Sequence, residues 1–238
     1  MNDIKTFRPL IETRLEALFA DALTSAGVID PHYAELLAVT RDQLLRGGKR
    51  LRPYLTYAAY LGCGGADGTD ILTAAASQEL FHHYLLIHDD VMDRDLIRHA
   101  GPNVAGVYYD RLRQRSLPDA EAYHLGASHA LIAGSASCAL GLQALSATGF
   151  APQLKLRAMD FAHRMLFEEM GGQLSDITAA LADKGAPTLE QLLKICRYKT
   201  ACYTFETPLK IGPSWPARAT PLSLAWSTSA APSAWPSS

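Results

Sequence analysis

Paired cysteines are absent from this chain. Cys63, Cys138, Cys196 and Cys202 are scattered over 238 residues, and no two form a CxxC pair. That argues against a zinc ribbon or a disulfide framework and for a reduced, intracellular protein. Charge of one sign is also lacking. The 22 Lys and Arg against 24 Asp and Glu leave a net charge of −2, so there is no basic footprint for nucleic acid. No GxGxxG stands in the chain, no alternating strand pair and no internal repeat. These absences exclude a dinucleotide-binding α/β domain and a repeat solenoid. The opening "MNDIKTFRPL" lacks a signal-peptide pattern, and the cytoplasm is the expected location. Between Glu121 and Lys155 there is no Asp, Glu, Lys or Arg. That length could span a bilayer. The stretch is rich in Gly, Ala and Ser, however, and contains His129 and Gln143. We read it as a core helix packed through small residues rather than as a membrane span.

What is present is apolar periodicity. The chain is 48% hydrophobic, enough for one large domain with a core. Helical spacing runs over 6–26, through "HYAELLAVTRDQLL" after Pro31, from Arg52-Pro53 to Leu61, and over 69–94, 120–148, 151–182 and 188–211. Stops fall at Gly47-Gly48, "GCGGADG", Gly149, Gly185 and Pro187. The predicted class is all-α.

Five clusters can carry chemistry. In "DDVMD", Asp89 and Asp93 are four apart and share a helix face, with Asp90 beside them. Carboxylates so placed repel unless a hard cation joins them, and Mg²⁺ takes one or two carboxylates with phosphate oxygens and water. Taken alone, the same residues also fit a charged helix end. In "GGKRLRPYL", two glycines precede Lys49 and Arg52 at a helix start, which suits a phosphate or an ordinary basic loop. "IRHAGP" sets Arg98 five residues beyond Asp93. "FEEMGGQLSDI" carries Gln173 and Asp176 three apart on one face. "YKTACYTFETPL" brings Lys199, Thr200 and Tyr203 into one turn. His82 and His83, at "FHHY", also fit simple core packing.

In this order the clusters resemble the trans-isoprenyl diphosphate synthases, the polyprenyl synthetase family, over residues 1–212. The resemblance implies an all-helical bundle around a deep apolar cavity, in a homodimer. It implies a Mg²⁺-dependent prenyltransferase. An allylic diphosphate ionises, isopentenyl diphosphate attacks the cation and a proton is lost, giving a geranylgeranyl or farnesyl product. Asp89, Asp90 and Asp93 become the Mg²⁺ ligands. Arg98 and Lys199 grip the allylic diphosphate. Gly48, Lys49, Arg52 and His82 match the isopentenyl diphosphate site, and Thr200 and Gln173 the polar groups near the reacting carbons. Tyr84, five residues before Asp89, and Leu85 stand where bulk limits chain length.

The chain departs from the family pattern in places. His99 stands where a second arginine is usual, and Ala100 where glycine is usual. If His99 anchors isopentenyl diphosphate, that anchor depends on pH. Ser135 stands at a common Asp position. The family's second Asp-rich motif is absent. Residues 213–238 hold all 3 tryptophans and no acid, and on composition read as irregular. A one-base shift near the codon of Gly212 lets them be re-read as a family-like segment. The expectation is therefore a C-terminally truncated chain of impaired activity with a frameshifted tail. A non-catalytic subunit of a heteromeric synthase is the alternative, although the first-motif aspartates are intact. A terpene cyclase of the same fold would lack "GGKRLRP".

Overall fold

The computed structural model describes residues 3–181 and 186–212. The tail 213–238, expected to be irregular, lies outside the described residues. Among the described residues the chain consists of helices and one short hairpin, joined by loops. The order is α1 (Ile4–Ile29), α2 (Pro31–Leu45), α3 (Leu51–Gly62), α4 (Thr69–Asp93), β1 (Ile97–Arg98), β2 (Gly101–Pro102), α5 (Val104–Gln114), α6 (Asp119–Ala147), α7 (Pro152–Ala179) and α8 (Leu189–Ile195). A π-helical segment, Cys196–Glu206, leads into α9 (Thr207–Ile211).

Local chemistry accounts for several of these boundaries. In α1, Phe7, Ile11, Leu15 and Phe19 are buried at successive four-residue steps, one stripe of an amphipathic helix. At the start of α2, the Asp30 carboxylate accepts the His32 N–H at 2.7 Å, and Pro31 occupies the first turn, where its missing N–H costs nothing. At the start of α8, Thr188 and Gln191 form a reciprocal capping box.

Three features differ from the sequence reading. Residues 97–102 form an antiparallel hairpin pairing Ile97 with Pro102 and Arg98 with Gly101. Its two-residue turn, His99-Ala100, has positive φ at both positions, 52° and 59°. That is the backbone a primed turn needs, and it is normally filled by Asn or Gly. Helix α5 lies outside the helical spacing of the sequence, since "VAGVYY" is poor in helix formers. Its start is set by Asn103, whose side chain accepts the Gly106 N–H at 2.8 Å. The expected uniform helix over 188–211 is instead α8, the π-helical segment and α9.

The chain divides into two compact units. One combines Ile4–Arg50 with Ala76–Ala144. In it, α1 packs on α2, and a core gathers Leu36, Ile87, Val104, Ala105, Tyr108, Ala130 and Ala133. Helix α6 meets α4 through a small residue there. A Cβ on Gly141 would stand 2.6 Å from Cε1 of Phe81. By length and composition α6 is apolar enough to cross a membrane, and 44% of its most apolar window is buried inside the protein. The other unit combines Leu51–Ala75 with the described residues between Leu145 and Gly212. In it, α7 lies along the π-helical segment and α3 against α9. The Gly149 N–H donates to Asp70 Oδ1 at 2.7 Å, and Tyr60 meets Phe150 edge to face at 5.7 Å.

Candidate active site

The acidic cluster sits at the C-terminal end of α4. Asp89 and Asp93 are one turn apart. Asp93 is exposed and Asp89 half-buried. Asp90 lies about 100° further round the helix and is only 2% exposed. Its Oδ1 accepts from Arg98 Nε at 2.7 Å and from Nη2 at 2.5 Å. Its Oδ2 is buried without a hydrogen-bond partner, a state that a bound water or cation would relieve. Burial pushes the Asp90 carboxyl above its ordinary value, and the hydrogen bonds and charge of Arg98 oppose that rise. The same hydrogen bonds hold the Arg98 guanidinium more firmly protonated.

Among the described residues no three His, Cys, Asp or Glu side chains converge as a ready-made metal cage. The donor set that Asp89 and Asp93 offer is oxygen only. Two such donors are too few for a closed protein site. They suit a hard cation that keeps its waters and takes further oxygens from a phosphate.

Behind this helix end, in the same unit, lies a polar pocket. Gly47, Gly48, Arg50, His82, His83, Arg98 and His99 line it, with Gln43, Leu44, Glu79 and Leu86. The end of α2 fastens the hairpin and the start of α5. Arg46 Nη1 donates to the Pro102 carbonyl at 2.9 Å, and Gln43 Oε1 accepts the Val104 N–H at 2.7 Å. The His99 ring lies against Gly47, where a Cβ would stand 3.0 Å from Cγ. Gly48 has φ +110°, a conformation open to glycine alone at low cost. Lys49 follows it and is exposed.

His83 is held neutral. Burial, then the positive charges of Arg50 and Arg98 and the neighbouring His99, lower its pKa to about 3. Its Nδ1 lies 3.5 Å from the Ser137 hydroxyl. Tyr84 and Leu85 are buried, and the Tyr84 ring meets His88 edge-on at 4.6 Å.

The remaining expected residues belong to the other unit. Gln173 is buried on α7. Lys199, in the π-helical segment, donates to Asp176 Oδ2 at 2.5 Å. Thr200 is exposed. Arg52, in the first turn of α3, donates to Thr204 Oγ1 at 2.7 Å and lies 4.4 Å over the Tyr203 ring. The π-helical pitch is a local departure of the kind that recurs at functional sites. Here it brings the backbone against Gly172, where a Cβ would stand 2.6 Å from the Tyr198 carbonyl carbon.

The structure thus gathers Gly48, His82, Arg98 and His99 about one pocket, and ties Arg52 to the segment that carries Lys199 and Thr200. Sequence reasoning passed over Gln43, Arg50 and Glu79. The two glycines before Arg50 were the available signal of an unusual loop. Nothing in the periodicity marked which of the three cations after them would be buried.

The sequence pattern of the polyprenyl synthetase family matches residues 34–216. The chain is 32% identical over 173 residues to a short chain isoprenyl diphosphate synthase of Methanocaldococcus jannaschii, covering 70% of this chain and 44% of that protein. It is 30% identical over 193 residues to a geranylgeranyl diphosphate synthase of Methanosarcina mazei, covering 77% and 53%. The chain therefore spans about half the length of these curated relatives. Its backbone is similar to the crystal structure of a geranylgeranyl pyrophosphate synthase from Corynebacterium glutamicum complexed with isoprenyl diphosphate and magnesium. The TM-score is 0.82 at 28% identity, over 90% of this chain and 60% of that one.

Proposed function

Because the chain belongs to the polyprenyl synthetase family, we propose that it is a prenyltransferase joining isopentenyl diphosphate to an allylic diphosphate. The product class is a geranylgeranyl or farnesyl diphosphate, as in the relatives it resembles. The observation that carries the reading is the pocket of Gly48, His82, Arg98 and His99, in the unit where α4 ends in Asp89 and Asp93. A cationic, glycine-lined pocket suits a diphosphate, and a pair of carboxylates suits the cation that travels with one.

Each residue then has a task. Asp89 and Asp93 would hold Mg²⁺, which supplies positive charge to neutralise a departing diphosphate. Asp90, already engaged, positions Arg98 toward the allylic diphosphate, and the family resemblance alone assigns Lys199 to the allylic diphosphate. Gly48, Lys49, Arg52, His82 and His99 serve isopentenyl diphosphate. The allylic C–O bond breaks with both electrons leaving on the diphosphate. The isopentenyl double bond forms the new C–C bond, and a proton is lost from the adjacent carbon. Gln173 and Thr200 stand as the polar groups near the reacting carbons, where fixed dipoles stabilise developing charge. Tyr84 and Leu85 limit the chain that can be held. The same reading makes the protein a cytoplasmic homodimer with no nucleic-acid partner, and α6 a packed helix.

Binding tests the reading without depending on turnover. Calorimetry with a non-hydrolysable allylic diphosphate analogue is expected to show Mg²⁺-dependent affinity that Asp89→Ala abolishes. An affinity indifferent to Mg²⁺, or unchanged in the variant, would sink it.

A further inference from the structure

The loop between α2 and α3 is folded onto a buried ion pair that the proposed reaction does not use. Arg50 has φ +53°, a left-handed backbone that L-residues adopt only when their surroundings impose it. Its side chain is 1% exposed. Nη1 donates to Glu79 Oε1 at 2.7 Å, and Nη2 to the Leu44 carbonyl at 2.9 Å, the last turn of α2. Nε reaches Glu12 Oε1 on α1 at 3.4 Å. One guanidinium thus ties together α1, the end of α2 and the middle of α4.

Gly48 rests on this pair. A Cβ there would stand 3.0 Å from Arg50 Nη1 and 3.4 Å from Glu79 Oε1. Glu79 lies three and four residues before His82 and His83 on α4, so the loop and the histidines are referred to the same stretch of one helix. The pair costs desolvation to bury and is not an economical way to stabilise a fold. Its planar fork does fix direction, which an apolar contact cannot do.

We propose that Arg50 and Glu79 are positioning residues for isopentenyl diphosphate. They touch no substrate. They hold Gly48 and Lys49 in register with His82, and this role rests on the reading of that pocket given above. Arg98, which serves the allylic diphosphate, is held by Asp90 rather than by the pair.

The experiment compares two affinities in each protein, for isopentenyl diphosphate and for a non-hydrolysable allylic diphosphate with Mg²⁺. Arg50→Met combined with Glu79→Leu removes both charges and keeps the volume, so the fold is expected to be retained. Affinity for isopentenyl diphosphate is expected to fall by about tenfold or more, because the loop loses its preorganised geometry, while allylic affinity is unchanged. Arg50→Lys keeps the charge, loses the fork and is expected to show the same selective loss; it decides the matter if the double variant does not fold. Equal weakening of both ligands, or of neither, overturns the positioning role. No isopentenyl diphosphate binding by the unaltered chain overturns the functional reading and this role together.

Discussion

Arg98 donates two hydrogen bonds to one oxygen of Asp90, at 2.7 Å and 2.5 Å, and the second oxygen of that buried carboxylate has no partner. Two aspartates adjacent in sequence therefore do different work. Asp90 faces inward to a cation, and Asp89 shares its face with Asp93.

That division predicts unequal stability effects. Asp90→Ala strands Arg98 and is expected to cost about 1–3 kcal/mol of folding stability, toward the lower end because the arginine is partly exposed. Asp89→Ala is expected to change stability by less than about 0.5 kcal/mol while removing Mg²⁺-dependent binding. Urea denaturation of both variants checks this. Equal losses would return the two aspartates to one role.

His83 predicts a pH dependence. In the folded protein its pKa is lowered from 6.5 to about 3, first by burial. Below about pH 6.5 the unfolded chain takes up a proton that the native state refuses. This contribution to stability is therefore present above pH 6.5 and lost progressively toward pH 3. The slope from this group is up to about 1.4 kcal/mol per pH unit. His83→Gln is expected to flatten the fall between about pH 7 and about pH 5 in denaturation experiments. A slope identical in the variant would assign the acid lability elsewhere.

Gly172 predicts a steric effect on Lys199. A Cβ at this position would lie 2.6 Å from the Tyr198 carbonyl carbon and 2.9 Å from the Lys199 Cα. Both are backbone atoms that cannot rotate aside. Gly172→Ala is expected to cost about 1–3 kcal/mol and to shift the π-helical segment, weakening allylic diphosphate binding. Thermal unfolding with calorimetry on the same sample measures both. An unaltered Tm would show that the segment can yield.

Tyr84 predicts a change in ligand length preference. It is buried five residues before Asp89. Tyr84→Ala is expected to move the preferred allylic diphosphate toward longer chains, gaining about 0.8 kcal/mol for each further CH₂ it buries. Competition binding across a series of chain lengths reads this. An unchanged order of preference removes Tyr84 from the role.

Much of the fold was legible before any coordinates. The periodicity of α1, α2, α4, α6 and α7 follows from a repeat of 3.6, which is a local property of the chain. The caps at Asp30 and Thr188 are local too, since each bonds to a backbone two or three residues away. For the same reason the Asp89–Asp93 face could be read directly, because one helical turn sets it. The close packing of α6 was written in its glycines and alanines.

Other features were decided by partners distant in sequence. In the sequence Asp90 stands beside Asp89 as an equal. Its direction was settled by Arg98, on a hairpin whose positive φ values at His99 and Ala100 no propensity would suggest. Arg50 looked like one of three loop cations until Glu79, Glu12 and the Leu44 carbonyl enclosed it. The π-helical pitch around Lys199 accompanies a close backbone approach at Gly172, an interaction across 26 or 27 residues of sequence. A helical period is fixed by neighbours along the chain, so sequence alone determined it. The partner of a buried charge is fixed by whichever group the folded chain brings near it, and only the tertiary structure decides that.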